Sequence, residues 1–509
     1  MKKHQPIYPF LVPAIVSCIL PSTTSAKRSK PNIIYILADD LGYAELGCYG
    51  QKKIETPNID RLASEGIRFT QFYAGAPVSA PSRSVLLTGL HTGHTPIRGN
   101  DEMASRGDVW DREAALHNPL LEGQAPMPEG TVTIASRLKV AGYATACIGK
   151  WGLGYPGSVS TPDKMGFDFF YGYNCQRQAH DYYPPFLYRN NKREMLRNPV
   201  MHQRVQKIND SIDKYAAASY SKYQQEDYAP DLMFRELIQY VRKSKHQPFF
   251  LFWATPIPHV PLQAPQRWID YYVRKFGDEE PYTGNKSYYP SRYPHATYAA
   301  MVSYLDEQVG LLIEELKQNG IYENTLFVFT SDNGPTFNGG SDSPFFDSAR
   351  PFKSEQGWGK TSLQEGGIRV PMIVSWKAKI KSAQTTNLMA AGWDIMPTFC
   401  EITGAKSPIT DGISFCPTLI GKKQTTHEFL YWEFPENEGS KAVRMGKWKG
   451  IIKSYIKNKN RTIKLFDLEQ DPREQNDLAN KYPEIVSKMV AIMKNQHTPQ
   501  ENPRFNIER

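Results

Sequence analysis

The chain has 509 residues, 40% hydrophobic and 22% charged, with a formal net charge of +9; this is an ordinary globular composition, long enough for two or three structural units and a sizeable core. No run of like charge marks a nucleic-acid arm, so the positive balance speaks at most for an anionic substrate. After the first residues, no stretch approaches the roughly 20 apolar residues that a membrane span needs.

The N-terminus reads as an export signal: Lys2 and Lys3, an apolar stretch from Ile7 to Leu20 broken by Pro9 and Pro13, then Thr24-Ser25-Ala26 as a small-residue cleavage site. Residues 1–26 are expected to be removed, leaving a periplasmic or secreted chain. Ile15-Val16-Ser17-Cys18 also fits a lipoprotein cleavage box, so a lipid anchor on Cys18 stays open. Cys48, Cys147, Cys175, Cys400 and Cys416 remain, an odd number without Cys-x-x-Cys spacing. They indicate neither a disulfide framework nor a zinc knuckle, and leave one pair possible.

Apolar, β-branched runs that end in polar residues recur along the chain: Asn32 to Ala38, Pro248 to Ala254, Leu326 to Thr330 and Pro371 to Trp376. Helical patterns lie between them at Thr133 to Val140, Asp231 to Arg242 and Tyr298 to Lys317. This alternation predicts an α/β fold with a mostly parallel, buried central sheet flanked by helices, whose chemistry gathers beyond the strand C-termini. Aromatic, Pro- and Tyr-rich stretches at 96–130, 172–228 and 256–294 read as functional loops. From about 425 the pattern changes to "FLYWEF", "KAVRMGKWKGII" and "IKLFDL", then a helix near Tyr482 to Lys494. The expected organisation is a catalytic domain over 27–424 and a C-terminal subdomain over 425–509 with a small antiparallel sheet and one helix.

Two strand ends carry acid: Asp39-Asp40 after the first strand and Asp332-Asn333 in "FVFTSDNGP". Adjacent carboxylates stay ionised only if a cation or donors neutralise them. Side by side, these ends would offer the hard oxygens that suit Ca²⁺ or Mg²⁺, and no His/Cys cluster competes for zinc. In "PVSAPSRSVLLTG", taken alone, Ser79 reads as a helix N-cap, with Pro81 in the first turn.

Motifs further along the chain tip that balance. Ser79-Ala80-Pro81-Ser82-Arg83, continued by Leu86-Leu87-Thr88-Gly89, resembles the type I sulfatase signature. "GYATACIGKWGLG" with Lys150, "PFFLFWATPIPHVPL" with His259, "SDNGP", "GKTSLQEGGIRVP" with Lys360 and "LFDLEQDPREQNDLA" come in that family's order over roughly residues 31 to 480. The resemblance implies an alkaline-phosphatase-like fold and oxidation of Ser79 to formylglycine by a serine-type maturation enzyme. It further implies Ca²⁺, preferred over Mg²⁺, on Asp39, Asp40, Asp332, Asn333 and residue 79, and a gem-diol at 79. One hydroxyl would attack sulfur and the other would expel sulfate, so water never has to attack the hindered anion. Arg83 would orient the diol, Lys150 and Lys360 would clamp the sulfate oxygens, and His259 would protonate the leaving sugar oxygen.

One position departs from the signature: Gly152 stands where the family commonly has histidine, and His94 is the candidate replacement base. "GFDFFYGYNCQRQAHDYYP", from Gly166 to Pro184, resembles segments of sulfatases acting on sulfated galactose and N-acetylgalactosamine. Arg177, His180 and Asp181 are candidates to read ring hydroxyls, with Arg98, Asn100 and the strand Tyr431 to Phe434 at the rim. The expected partner is a sulfated carbohydrate. The alternatives are a phosphodiester or phosphonate hydrolase of the same superfamily, and a non-catalytic module that binds sulfated glycans.

Overall fold

The computed structural model describes residues 1, 30–201, 207–457 and 461–508; apart from Met1, the segment read as an export signal, with Cys18, falls outside them. Ten strands build the central sheet: β1 (Asn32–Ala38), β2 (Ile67–Phe69), β3 (Ala144–Lys150), β4 (Phe169–Tyr173), β5 (Phe186–Arg189), β6 (Lys192–Met195), β7 (Phe249–Ala254), β8 (Thr325–Ser331), β9 (Met372–Ser375) and β10 (Gln384–Thr386). Their order is β10-β2-β9-β8-β1-β7-β3-β4-β5-β6. The inner five, β8-β1-β7-β3-β4, run parallel; β9 and β5 join them antiparallel on either side, and the edge strand β10 pairs parallel with β2. The mostly parallel buried sheet expected from the apolar runs is what forms.

β1 is buried along its whole length and alternates between two cores. Ile34, Ile36 and Ala38 pack on one face with helices α1 (Pro57–Ser64), α4 (Ala229–Ser244) and α6 (Pro294–Gln318). Ile33, Tyr35 and Leu37 pack on the other with α2 (Ser79–Thr88), α3 (Ile134–Val140) and α7 (Ile395–Thr403). A strand covered on both faces must be apolar at every position, which is why it reads as a continuous run. At ~1.5–3 kcal/mol for each large side chain buried, these two layers dominate the stabilisation.

The stretch 172–228 is not one loop. It carries the β5–β6 hairpin, whose Asn190-Asn191 turn has Asn190 at φ 52, a residue type that tolerates the left-handed region. Likewise 256–294 contains α5 (Gln266–Phe276). The C-terminal part forms the expected antiparallel sheet, β11 (Leu430–Phe434), β12 (Ser440–Met445), β13 (Trp448–Lys453) and β14 (Lys464–Asp467), with α8 (Pro483–Asn495). Among the described residues all five cysteines are free, so no pair forms, and no helix is long and apolar enough to cross a membrane.

The start of α6 is tied down by charge. Glu279 accepts from the backbone N–H groups of His295 and Ala296, an acid placed at the positive end of the helix. The His295 ring sits between Glu279 at 2.9 Å and Asp342 at 3.0 Å. Partial burial opposes its charge, but the two carboxylates win and raise its pKa to about 9. Since that lies above the ordinary 6.5, the stability it contributes is complete below pH 6.5 and disappears as pH rises through 9. A His295→Gln variant should therefore melt below the wild type in mild acid and converge on it in base. Thermal unfolding on both sides of that window checks this, and a constant gap contradicts it.

Candidate active site

The pairing of Ala38 with Ser331 sets the ends of β1 and β8 side by side, so Asp39-Asp40 and Asp332-Asn333 arrive together. All four are buried, and Asp40 adopts φ 67, a left-handed conformation uncommon for a residue with a side chain. Backbone strain of this kind persists where the surroundings over-determine it. Asp40 N–H donates to Asp332 Oδ1 at 3.2 Å, and Asn333 Nδ2 donates to Asp40 Oδ1 at 2.8 Å. Asn333 Oδ1 is buried and accepts no hydrogen bond.

Ser79 is the first residue of α2, not its cap: Val78 holds the extended N-cap position. The Ser79 hydroxyl instead donates to Asp39 Oδ1 at 3.1 Å and accepts from Lys150 Nζ at 3.1 Å. Lys150, at the end of β3, also donates to Asp39 Oδ2 at 2.6 Å. Arg83 reaches back from the next turn of α2, donating to Asp332 Oδ2 at 3.1 Å, Asp39 Oδ2 at 3.3 Å and the Lys150 carbonyl at 2.8 Å. Lys360 Nζ meets Asp40 Oδ2 at 2.8 Å from the other side. Its side chain is 17% exposed, whereas those of Arg83, Lys150 and the carboxylates are nearly sealed, so Lys360 marks the open side of the cluster.

His259 is buried against Asp40. Its Nδ1 hydrogen bonds the Val260 carbonyl and so carries a proton, while Nε2 points to Asp40 Oδ2 at 3.6 Å. Burial, reinforced by the charge of Lys360, pushes its pKa down to about 3. Burial raises the pKa of Asp40 and of Asp332, while Asp39 is held low because Lys150, His259 and Arg83 outweigh its burial.

The other expected site residues divide. His180 stacks on His259 with ring centroids 4.8 Å apart, and Arg177 pairs with Glu102 and lies 3.2 Å over the Trp110 ring, which in turn packs on His180. Asn100 accepts from the Ala80 N–H at 3.2 Å and so pins the start of α2. Arg98 does not reach the site. It is buried, and its donors are spent on Thr95, Gly93, Glu433 and Thr498. Asp181 is buried on Arg112, Tyr289 and the Tyr183 N–H, a structural brace and not an open ring-hydroxyl reader.

His94 is also placed elsewhere. It binds Asp411 at 2.9 Å and stacks on His91 past the C-terminal end of α2. Ten helical residues, about 15 Å, separate that end from Ser79. Nearness in sequence was misleading because the helix carries the chain away from the site. Tyr431 to Phe434 is buried as β11, so it forms no rim.

Gly152 has φ 73, and a Cβ there would find only Gln176, with Oε1 at 3.6 Å and Cβ at 3.7 Å. Gln176 Oε1 is buried and accepts no hydrogen bond. Sequence reasoning missed Gln176 and also Tyr288, whose ring lies 5.4 Å from His180 and 6.0 Å from His259. Gln176 stands in the same segment as Arg177 and His180, so its neighbourhood was legible. Tyr288 had no local signal.

Three buried carboxylates, an unpaired amide oxygen, a hydroxyl at a helix start and converging cations in an α/β sheet define a hydrolase of anionic esters of the alkaline-phosphatase-like class. Family comparison agrees. The chain belongs to the sulfatase family: the model described as "Sulfatase" matches residues 31–405, and one described as "N-sulphoglucosamine sulphohydrolase, C-terminal" matches 354–499. It is 29% identical to the N-acetylgalactosamine-6-O-sulfatase of Bacteroides thetaiotaomicron, over 92% of this chain and 93% of that protein. The N-acetylgalactosamine-6-sulfatase of Rattus norvegicus is 28% identical, over 83% and 71% respectively. Among solved structures, Ps i-CgsB in complex with k-i-k-neocarrahexaose aligns with a TM-score of 0.71 at 29% identity, over 92% of each chain.

Proposed function

We propose that this chain is an exported enzyme that removes O-sulfate from carbohydrates with galactose-configured rings, sulfated galactose or N-acetylgalactosamine, with Ser79 matured to formylglycine. The observation that carries this reading is the Ser79 hydroxyl, buried and held between Asp39 and Lys150 at the start of α2. The names of the relatives support the sugar class.

The donor set fits a hard divalent cation: Asp39, Asp40, Asp332 and Asn333 offer only oxygen, and the Asn333 oxygen lacks any other partner. Ca²⁺ held there, together with residue 79, would offset the carboxylate charge and favour the ionised form of a hydroxyl at 79. An aldehyde hydrate at 79 supplies two hydroxyls, one to attack and one for release. The remaining roles belong to the chain's own side chains. Arg83, with no exposure, fixes Asp39, Asp332 and the end of β3 relative to α2. Lys150 and Lys360 approach residue 79 and Asp40 from opposite sides, where they would hold the oxygens of an anionic ester. His259 presents Nε2 to the Asp40 side of the cluster. An anionic ester opposes the causes that depress its pKa and favours the imidazolium that donates a proton to the departing sugar oxygen.

The test is mass spectrometry of the peptide across residue 79, from protein made with a serine-type maturation enzyme, together with sulfate release from N-acetylgalactosamine 6-sulfate and galactose 6-sulfate. Formylglycine weighs about 2 Da less than serine. The expected result is that mass loss and turnover together, with Ca²⁺ raising the melting temperature progressively, as the logarithm of its concentration above its Kd. Unmodified serine with tight sulfated-glycan binding and no turnover would instead establish a binding module, and preferential cleavage of phosphate diesters would establish the phosphohydrolase alternative.

A further inference from the structure

Beside the catalytic cluster lies a cavity of about 480 Å³, lined by Trp110, Arg177, Asn285, Ser287, Tyr288 and Asn338 among others. Tyr288 forms its inner wall, since the same ring contacts His259 and His180. Asn285 and Asn338 also line a second, larger cavity of about 930 Å³, together with Lys286, Phe337, Ser341 and Gln356. Sharing two residues, the cavities adjoin one another between the segments 280–288 and 336–342, and Tyr288 links the first of them to His259.

This groove is far larger than one sugar ring requires. A pocket of roughly 300–1,000 Å³ already encloses most of a drug-sized ligand, and each cavity alone falls in that range. Its lining combines amides and hydroxyls, which match ring hydroxyls, with Trp110 and Phe337, whose faces suit the C–H face of a pyranose. Lys286 adds positive charge for a chain carrying further sulfate or carboxylate groups, while Glu280 and Asp342 in the same lining are each paired with a cation, Lys214 and His295.

The walls are held in place before any ligand arrives. Ser287 and Tyr288 both have positive φ, 68 and 63, an uncommon pair for residues with side chains. Tyr282 closes this turn, accepting from the Lys286 N–H at 3.0 Å and donating to the Ser287 carbonyl. Tyr282 and Ser291 exchange backbone hydrogen bonds of 2.9 Å in both directions. The outer end is fixed by the His295 bridge to Glu279 and Asp342. Rigid walls reduce the ordering cost of binding a long ligand.

Resting on the proposed sulfatase reading, we infer that the substrate is an oligosaccharide or polysaccharide chain: the sulfated ring enters the catalytic cluster and neighbouring sugars lie along the Asn285/Asn338 groove. The enzyme then acts on sulfate within glycan chains in preference to free monosaccharide sulfates.

The experiment compares N-acetylgalactosamine 6-sulfate with a chondroitin 6-sulfate hexasaccharide, and galactose 6-sulfate with a sulfated galactan hexasaccharide. Both kcat/KM and calorimetric Kd are measured on the full chain. Exposed Asn285 and Asn338, changed to Trp singly, narrow the groove without entering the core. For the wild type, at least one hexasaccharide is expected to exceed its monosaccharide by tenfold or more in kcat/KM and in affinity. For Asn285→Trp and Asn338→Trp the hexasaccharide-to-monosaccharide ratio should fall toward one. A hexasaccharide that binds tightly in the groove-dependent way while no sulfate is released keeps the groove and removes the sulfatase reading. Equal values for chain and monosaccharide, no hexasaccharide binding, or a ratio unchanged in both variants overturns the proposal.

Discussion

Replacing Ser79 by alanine should abolish sulfate release, by ~10⁴-fold or more, the scale seen when a covalent nucleophile is removed. The fold should survive with a modest loss of stability. The hydroxyl makes two hydrogen bonds, to Asp39 and Lys150, with a net value of about 0.5–3 kcal/mol apiece depending on the charge of the partner. It caps nothing, because Val78 occupies the N-cap position, and alanine suits the first turn of a helix. Circular dichroism should therefore overlay the wild type and the melting temperature should fall by only several degrees, while turnover vanishes. Binding of a sulfated sugar should survive, because Lys360 and His259 are untouched. Retention of more than roughly a hundredth of wild-type kcat/KM would show that residue 79 is not the nucleophile.

A second large effect is expected far from any substrate. Lys449 on β13 is wholly buried and donates to Glu365 Oε1 at 2.8 Å, with Glu474 Oε1 at 3.3 Å. Glu365 in turn accepts from Tyr73 and Arg369, each at 2.9 Å, and its own N–H donates to Glu474 at 2.8 Å. This network joins the C-terminal sheet to the segment just beyond Lys360. A Lys449→Met substitution leaves buried carboxylate charge uncompensated, and breaking a buried pair in this way costs ~3–5 kcal/mol. The urea midpoint should fall accordingly, and kcat/KM should drop with it as the Lys360 segment loosens.

Adding Glu365→Gln to Lys449→Met should recover part of the stability, because the orphaned charge goes with it. Burial works to raise the Glu365 pKa, but Lys449 and Arg369 outweigh it and hold the carboxyl below its ordinary 4.5. The stability this contributes is present above that value and is lost as pH falls below it, so Lys449→Met should also flatten the acid limb of the stability profile. A single variant as stable as the wild type would show that the network contributes nothing.

Much of this arrangement was legible in the amino-acid order. β1 was read over Asn32 to Ala38 and forms over those residues, because a strand buried on both faces shows as an unbroken apolar run. α3 begins after Thr133 with a complete capping box. The β5–β6 hairpin was hidden inside an aromatic stretch whose turn, Asn190-Asn191, lacks the glycine that usually announces one. Among site residues, Arg98 and Asp181 show the limit of residue type as a guide. An arginine or aspartate in a motif-rich loop looks the same whether it faces a ligand or is consumed by Glu433 or Arg112.

The α/β class, the acidic ends of β1 and β8, and the order in which Ser79, Arg83, Lys150, His259, Asp332 and Lys360 appear are all written in the amino-acid order. These are local properties, written in apolar period and in motif spacing. Only the tertiary structure decided which of them meet. Parallel register between β1 and β8 brings Asp39 and Asp332 together from positions far apart in the chain. The length of α2, about 15 Å over its ten residues, takes His94 to Asp411 and away from Ser79. Tyr288 and the Asn285/Asn338 groove arise where two distant loops pack, and packing between remote segments leaves no period or motif in either one.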